Sequence, residues 1–363
     1  MQPRDLSDHV AYEAGRGHEE VARERGLDPA ELISLSSNEN PLGPAPEAVA
    51  AIHAHADGIH RYPKAAHVDL VESIADRHGI QPVQVWLANG GDGALDYLAR
   101  AMLTPGDTVL VPDPGFAYYG MSARYHHGEV RRYPIRRDAD FAMEPSTILE
   151  AYAGDRIVYL TSPHNPTGSV VDRSTIVDLA TRTDDDTLLV VDEAYGAFAT
   201  TESASDLLAE RDDVAVLRSF SKSHGLAGLR LGYALVPRTW ADTYAKVSTP
   251  FAASELACRA GLAALADDEH LEASVELASW GRDYIADELA AETWPSEGNF
   301  VLASVGDATA LTDELFDQGV IVRDCTSFGL PDCIRISVGR REELRHAVET
   351  INELLVANEV AGE

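Results

Sequence analysis

A chain of 363 residues, 45% of them hydrophobic, is long enough for about two domains and a sizeable core. Its 60 acidic residues outnumber 29 basic ones, and the net charge of -31 repels nucleic acid and anionic membranes. No apolar run approaches the roughly 20 residues that cross a bilayer. The polar segment at residues 1–20 has no apolar stretch of the kind found in signal peptides. We therefore predict a cytoplasmic protein with no nucleic-acid or membrane partner.

The acidic residues are spread along the whole chain, and lysine occurs only three times. This pattern favours a protein from a salt-loaded cytoplasm, where hydrated carboxylates aid solubility; the alternative is an ordinary acidic enzyme. Cys258, Cys325 and Cys333 have neither the C-x-x-C spacing nor the spacing of metal ligands. We expect them to be reduced, buried thiols, and we predict no metal site.

Short apolar runs alternate with helical patterns between about residues 45 and 245, which predicts a mainly parallel sheet covered by helices on both faces. The predicted strands are 85–87, 108–111, 156–160, 188–191 and 214–217. Beyond residue 246, Ala- and Leu-rich helices lead to apolar stretches at 299–302, 320–322 and 334–338. We predict an N-terminal arm (1–44) that joins the small domain, a large α/β domain (45–245) and a small α+β domain (246–363).

A polar segment follows each predicted strand of the large domain, and ligands of open α/β sheets bind at the carboxyl ends of strands. Lys222 is the most informative of these residues. Where arginine is the usual cation, a lysine is suited to a Schiff base, because its amine loses a proton and attacks an aldehyde. Neighbouring hydroxyls and Arg230 suit a phosphate, so an aldehyde that carries a phosphate, pyridoxal 5′-phosphate, is predicted. The competing interpretation is a surface lysine beside a Gly-rich turn.

Asp192 directly follows the buried strand 188–191, where an unpaired carboxylate is costly. A protonated pyridine nitrogen is a suitable partner, because the ion pair keeps the ring electron-withdrawing. The alternative interpretation of Asp192 is a helix N-cap.

Six segments in this order resemble the aminotransferases of class I/II, which have the fold-type I architecture. They are Ser37–Pro44, Arg61–Pro63, Asn89–Asp92, Ser162–Gly168, Val190–Tyr195 and Ser219–Tyr233. Within this family, the Asn-Glu-Asn-Pro and Arg-Tyr-Pro segments look most like the histidinol-phosphate aminotransferases. The resemblance implies an α/β fold with a large and a small domain, pyridoxal 5′-phosphate bound to Lys222, and a homodimer.

The resemblance also implies roles for individual residues. It places the cofactor phosphate on a group of six residues: Gly91, Asp92, Gly93, Ser219, Ser221 and Arg230. Asn165 and Tyr195 are implied to bind the phenolic oxygen, with Tyr195 in the catalytic set beside Lys222 and Asp192. Phe116 is implied to stack on the ring, although a register shifted to Tyr118 or Tyr119 stays open. Tyr62 is implied to reach the phosphate of the neighbouring subunit. The competing explanations are turn formation for Asn165, core packing for Tyr195 and Phe116, and a place in a turn before proline for Tyr62.

Arg335 alternates with apolar residues in the predicted strand 334–338, so its side chain points away from Ile334 and Ile336. The resemblance implies that Arg335 binds the substrate anion, with Arg323 as a second cation and Tyr12 nearby. Structural ion pairs, for example of Arg323 with Asp324 or Asp332, are the alternative. The expected substrate pairs are L-histidinol phosphate with imidazole acetol phosphate and L-glutamate with 2-oxoglutarate. An aromatic or branched-chain aminotransferase, a phosphothreonine decarboxylase and a non-enzymatic module of the same fold are the rivals.

Overall fold

The computed structural model describes residues 6, 7, 9, 11, 12 and 18–362, except for the side chains of residues 18, 19 and 359–362. A seven-stranded sheet forms the centre of the larger part. Its strands are β2 (Val85–Asn89), β3 (Thr108–Asp113), β4 (Glu129–Pro134), β5 (Ile157–Thr161), β6 (Leu188–Asp192), β7 (Val214–Ser219) and β8 (Leu231–Leu235).

The strand order is β2-β8-β7-β6-β5-β3-β4, and β8 runs antiparallel to both of its neighbours while the other pairs are parallel. This is the mainly parallel sheet that the alternating pattern predicts. Each of the five predicted strands is present within a residue or two of its expected bounds. The α/β fold class is therefore confirmed.

Successive residues along the central strands pack into two different cores. Val158 and Leu160 join one apolar cluster, whereas Ile157 and Tyr159 join the other. This alternation is the geometry of a strand that is buried on both faces. The polar ends of these strands are therefore the places where the sheet meets solvent or a ligand.

The helices cover both faces of this sheet and flank a second one. They are α1 (His18–Arg25), α2 (Pro46–His55), α3 (Val68–His78), α4 (Gly90–Met102), α5 (Tyr118–Tyr125), α6 (Pro145–Ala151), α7 (Arg173–Arg182), α8 (Tyr244–Val247), α9 (Glu255–Leu265), α10 (Asp268–Glu288), α11 (Ala308–Asp317) and α12 (Arg341–Gly362). Buried residues of α4 and α5 pack on one face of the large sheet, and those of α3, α7 and α9 pack on the other.

The second sheet has the order β1-β11-β12-β10-β9. Its strands are β1 (Ile33–Leu35), β9 (Glu292–Thr293), β10 (Phe300–Ser304), β11 (Val320–Asp324) and β12 (Cys333–Ser337). β1 pairs in parallel with β11, so a segment close to the N-terminus completes a sheet that is otherwise built near the C-terminus. The domain boundaries after residues 44 and 245 stay a prediction.

The three cysteines are buried, and none of them forms a disulfide. Across the described ranges, no helix combines the length and the apolar character needed to cross a membrane. Among the described residues, no group of His, Cys, Asp and Glu side chains is arranged to hold a metal ion.

Candidate active site

A cavity of about 750 Å³ lies where the carboxyl ends of β3, β5, β6 and β7 meet the second sheet. Thirteen of the residues predicted from the sequence line it: Tyr12, Gly91, Asp92, Phe116, Asn165, Asp192, Tyr195, Ser219, Ser221, Lys222, Arg230, Arg323 and Arg335. The remaining two, Gly93 and Tyr62, are not among the lining residues. Residues that are far apart in the chain are thus brought into one cavity.

Lys222 follows β7 and enters the cavity beside the segment after β1. Its Nζ donates a hydrogen bond of 3.1 Å to the backbone oxygen of Ser37. The same nitrogen lies 5.5 Å from the centre of the Tyr195 ring. A carbonyl oxygen is a weak and replaceable partner, so the amine is available to a ligand in the cavity.

Asp192 ends β6, and its carboxyl group is buried in the cavity floor. Burial raises the pKa of Asp192 to about 6, although hydrogen bonds from Tyr119 and the backbone of Ala194 act in the opposite direction. A buried carboxylate with a raised pKa calls for a cationic partner. A protonated ring nitrogen is such a partner.

The N-terminus of α4 and Arg230 form a second corner of the cavity. Gly90, with φ +72°, begins the helix, and a Cβ at this position would lie 2.6 Å from Nη2 of Arg230. Arg230 adopts the left-handed conformation (φ 52°), and its Nη2 lies 3.0 Å from Oδ2 of Asp92. Glycine therefore makes room for the guanidinium group next to the free N–H groups of the helix.

The two serines predicted to bind phosphate line the cavity near Arg230, because Ser219 on β7 is opposite Gly232, two residues after Arg230. The backbone N–H of Ser221 donates to Oγ of Ser219 over 3.1 Å. A helix N-terminus, a guanidinium group and two hydroxyls together suit a phosphate group. Gly93 is one turn into α4, and a Cβ there would contact Ala88 and Asn89.

Tyr195 is tied to the segment that follows β1. Nδ2 of Asn38 donates a 3.0 Å hydrogen bond to the Tyr195 hydroxyl. Asn38 has a positive φ of 53° and is buried, and its own amide oxygen accepts from the Ser337 hydroxyl over 2.8 Å. Asn38 is a site residue that was not predicted from the sequence. The property that could have indicated its role is that asparagine tolerates the left-handed conformation while its side chain makes hydrogen bonds.

Arg335 and Arg323 face each other across the antiparallel pair β12 and β11. Arg335 is 5% exposed; it donates to Oδ1 of Asn165 and, over 2.6 Å, to the backbone oxygen of Ser36. Its Nε is buried without a partner among the described residues. Arg323 donates to the Ser327 hydroxyl over 2.8 Å. Like charges directly opposite each other in a sheet are destabilising, and both guanidinium groups line the cavity, where an anion would offset this repulsion.

Three aromatic residues were candidates for stacking on a ring. Tyr119 is almost fully buried, and its hydroxyl donates to Asp192 over 2.7 Å. The Tyr118 hydroxyl donates to Asp96 over 3.0 Å. Phe116 has no polar group to hold it elsewhere, and its ring meets that of Tyr12 edge-on at 5.9 Å. The geometry therefore favours Phe116 as the stacking residue.

Tyr62 is 83% exposed and stacks on Phe251 with ring centres 4.9 Å apart, so within one chain it lies on the surface. His164, to which the sequence analysis gave no role, is fully buried between Oγ1 of Thr167 and the backbone oxygen of Pro114. Burial lowers the pKa of His164 to about 4, so it is a neutral structural residue.

Residues 30–351 match the family described as "Aminotransferase class I and II". The chain is 65% identical to the histidinol-phosphate aminotransferase of Natronomonas pharaonis over 98% of its own length and all of the relative's. It is 61% identical to that of Haloarcula marismortui, over 98% and 99% of the two chains. A crystal structure of histidinol-phosphate aminotransferase from Sinorhizobium meliloti, in complex with pyridoxal-5′-phosphate, superposes with a TM-score of 0.89 at 27% identity and covers 98% of each chain.

Proposed function

The chain belongs to the aminotransferase class I and II family, and from this premise we propose that it transfers an amino group between L-histidinol phosphate and 2-oxoglutarate. The products are imidazole acetol phosphate and L-glutamate, a reaction of histidine biosynthesis. The observation that carries the choice of substrate is the pair of opposed arginines, Arg323 and Arg335, in the cavity wall. Both substrates are anions, and a guanidinium group binds phosphate and carboxylate alike.

The residues around the cavity fit pyridoxal 5′-phosphate as the cofactor. When bound, this cofactor supplies an aldehyde that takes up an amino group and a ring that draws electrons from the substrate's α-carbon. The α4 N-terminus and Arg230 would hold its phosphate together with Ser219 and Ser221. Asp192 would face the ring nitrogen.

Lys222 is proposed to act first as the covalent attachment point of the cofactor and then as an acid–base group. With the cofactor bound and Lys222 freed by an amino substrate, Nζ of Lys222 would accept the proton from the substrate α-carbon and act as the acid that returns it. Asn165 and Tyr195 are proposed to bind the phenolic oxygen. Phe116 would cover one face of the ring and exclude water.

The exposure of Tyr62 supports a homodimer with shared active sites. A tyrosine that is 83% exposed on one chain, and stacked on the half-exposed Phe251, offers a ring to a second copy. In that arrangement the Tyr62 hydroxyl would reach the cofactor phosphate of the partner subunit. A cytoplasmic location, predicted from the charge and the unpaired cysteines, stays a prediction.

The opposed arginines provide the test of the substrate. We expect Arg335→Ala to impair both half reactions, because glutamate and the phosphate ester would use the same guanidinium group. Arg323→Ala should lower kcat/KM for histidinol phosphate by roughly 10- to 100-fold, the loss of one hydrogen bond to a charged group, and affect simple amino acids less. Steady-state kinetics with histidinol phosphate and with phosphate-free histidinol measure both effects.

Arg182→Ala is the matched control, because it removes the same charge outside the cavity. Arg182 pairs with Asp178 on the exposed face of α7. A wild-type enzyme that does not prefer the phosphorylated substrate would favour a broad aminotransferase instead. Release of carbon dioxide from phosphothreonine would favour the decarboxylase.

The charge of -31 and the relatives from halophilic archaea support a salt-requiring enzyme. We expect the melting temperature to rise steeply between 0.1 and 2 M KCl, because the Debye length falls from about 10 Å at 0.1 M to about 3 Å at 1 M and screens the self-repulsion. Calorimetry across KCl concentrations measures this. Sucrose at matched osmolality is the control, and a melting temperature that is flat in KCl rejects the proposal.

A further inference from the structure

The carboxyl group of Asp192 accepts a hydrogen bond at each oxygen. Oδ1 accepts from the backbone N–H of Ala194 over 2.9 Å, a contact within its own loop. Oδ2 accepts from the Tyr119 hydroxyl over 2.7 Å. Tyr119 belongs to α5, so this second bond joins the helix to the end of β6 and fixes the direction of the carboxyl group.

Tyr119 is itself held rigidly. Its ring is 1% exposed and stacks on Tyr159 with centres 4.7 Å apart. Its hydroxyl lies 2.8 Å from Oγ1 of Thr161 at the end of β5. The phenol has a single proton, and donation to a carboxylate uses it, so the Thr161 hydroxyl must donate to the Tyr119 oxygen. The three side chains form a directed chain from Thr161 through Tyr119 to Asp192.

These hydrogen bonds counteract the effect of the surroundings on the pKa of Asp192. Burial and the charges of Asp92 and Glu193 raise the pKa of Asp192, and the hydrogen bond from Tyr119 is the first of the contributions that lower it. Burial and Asp192 raise the pKa of Tyr119, so the phenol stays protonated and remains a donor. Five cationic side chains line the same cavity: Arg132, Lys222, Arg230, Arg323 and Arg335.

We propose that Tyr119, oriented by Thr161, is a positioning residue that keeps the carboxyl group of Asp192 ionised and fixed in direction before the cofactor arrives. The importance of that charge rests on the proposed function, because it is the cofactor ring that needs it. The hydrogen bonds themselves belong to the cofactor-free protein. Without the phenol, Asp192 would take up a proton near neutral pH and present a neutral acid to the ring.

Tyr119→Phe in the cofactor-free protein tests this directly. Infrared difference spectra follow the carbonyl stretch of the protonated carboxyl group from pH 4 to 9, and the Asp192→Asn spectrum identifies the band. We expect a midpoint of about 6 in the wild type. In Tyr119→Phe the midpoint should rise by about one unit, the scale of one lost hydrogen bond to a charged group.

Tyr159→Phe is a closely matched control. Its ring is the one stacked on Tyr119, and its buried hydroxyl has no hydrogen-bond partner among the described residues. Tyr159→Phe removes a hydroxyl oxygen from the neighbouring ring, so the titration midpoint of Asp192 should not move. Thr161→Val keeps the phenol and removes only its donor, and we expect a smaller rise. It also tests the chain if Tyr119→Phe does not fold.

A midpoint in Tyr119→Phe within about 0.3 units of the wild type overturns the proposal, as does an equal rise in Tyr159→Phe. If Tyr119→Phe does not fold, an unchanged midpoint in Thr161→Val overturns it. Failure of the proposed function has a different signature, since it appears in the wild-type substrate assay and leaves the titration intact. A shifted midpoint together with no preference for histidinol phosphate would refute the substrate alone.

Discussion

Lys222→Ala is expected to abolish transamination while the cofactor still binds noncovalently. The chain has three lysines, and of these Lys222 is the one that lines the described cavity. Lys64 is half-exposed and pairs with Asp69 over 2.8 Å, so it cannot substitute. Loss of the group that both attaches the cofactor and moves the proton should reduce kcat by at least roughly 10⁴-fold, the scale for removal of a central catalytic side chain.

Two measurements separate attachment from proton transfer. Irreversible borohydride reduction should fix the cofactor to the wild type and not to Lys222→Ala. Lys222→Arg keeps the positive charge but cannot form the covalent bond, so it should be as inactive as the alanine variant. Lys246→Ala, in the short helix α8, removes a lysine outside the cavity and should retain full activity. Turnover of Lys222→Ala at the wild-type rate would refute the assignment.

Asp192→Asn is expected to lose at least roughly 10²-fold in kcat, the scale for removal of one electrostatic contact to the transition state. The amide keeps the size of the side chain but not its charge, so it would no longer stabilise the protonated form of a ring nitrogen opposite it. The pKa of about 6 places Asp192 in its ionised form at pH 8. This pKa is that of the cofactor-free site, and a protonated ring nitrogen opposite the carboxylate would lower it, so wild-type activity should lose this contribution only well below pH 6. The variant should lack that part of the pH dependence.

Asp96→Asn is the control for Asp192→Asn. Asp96 is a partly buried carboxylate on α4 that accepts a 2.7 Å hydrogen bond from Ser122, and it is not among the residues that line the cavity. Its loss should change stability more than rate. An unchanged rate in Asp192→Asn would mean that Asp192 only caps the loop after β6.

Five of the seven strands of the large sheet are predicted from the sequence, whereas β4 and β8 are missed. β8 (Leu231–Leu235) is buried along its whole length but contains Gly232, which interrupts the apolar pattern. β4 at the edge of the large sheet reads Glu129-Val130-Arg131-Arg132-Tyr133-Pro134, and its charged residues hide the strand pattern. Edge strands carry charges because these discourage pairing with other chains. β2, at the other edge, carries no charged residue and is predicted, so the charges of β4 rather than its edge position hide the pattern.

Site residues were predictable where they end a strand, as Asp192 and Ser219 do. Contacts between distant segments were not. The bond from Tyr119 to Asp192 spans 73 residues and depends on the rotation of α5, and the bond from Arg335 to Ser36 spans 299. Neither leaves a local trace in composition or spacing, because both arise only once the sheets have packed.

The parallel pairing of β1 with β11 also has a consequence for the order of folding. Ile33 is opposite Val320, and the residues just after β1 supply the oxygens that bind Lys222 and Arg335. Closing so long a loop is entropically costly and slow compared with forming the large sheet. During synthesis the cavity therefore cannot close until β11 has left the ribosome. Tight binding of the cofactor should therefore require the complete fold. In a refolding experiment we expect it to appear in the last phase.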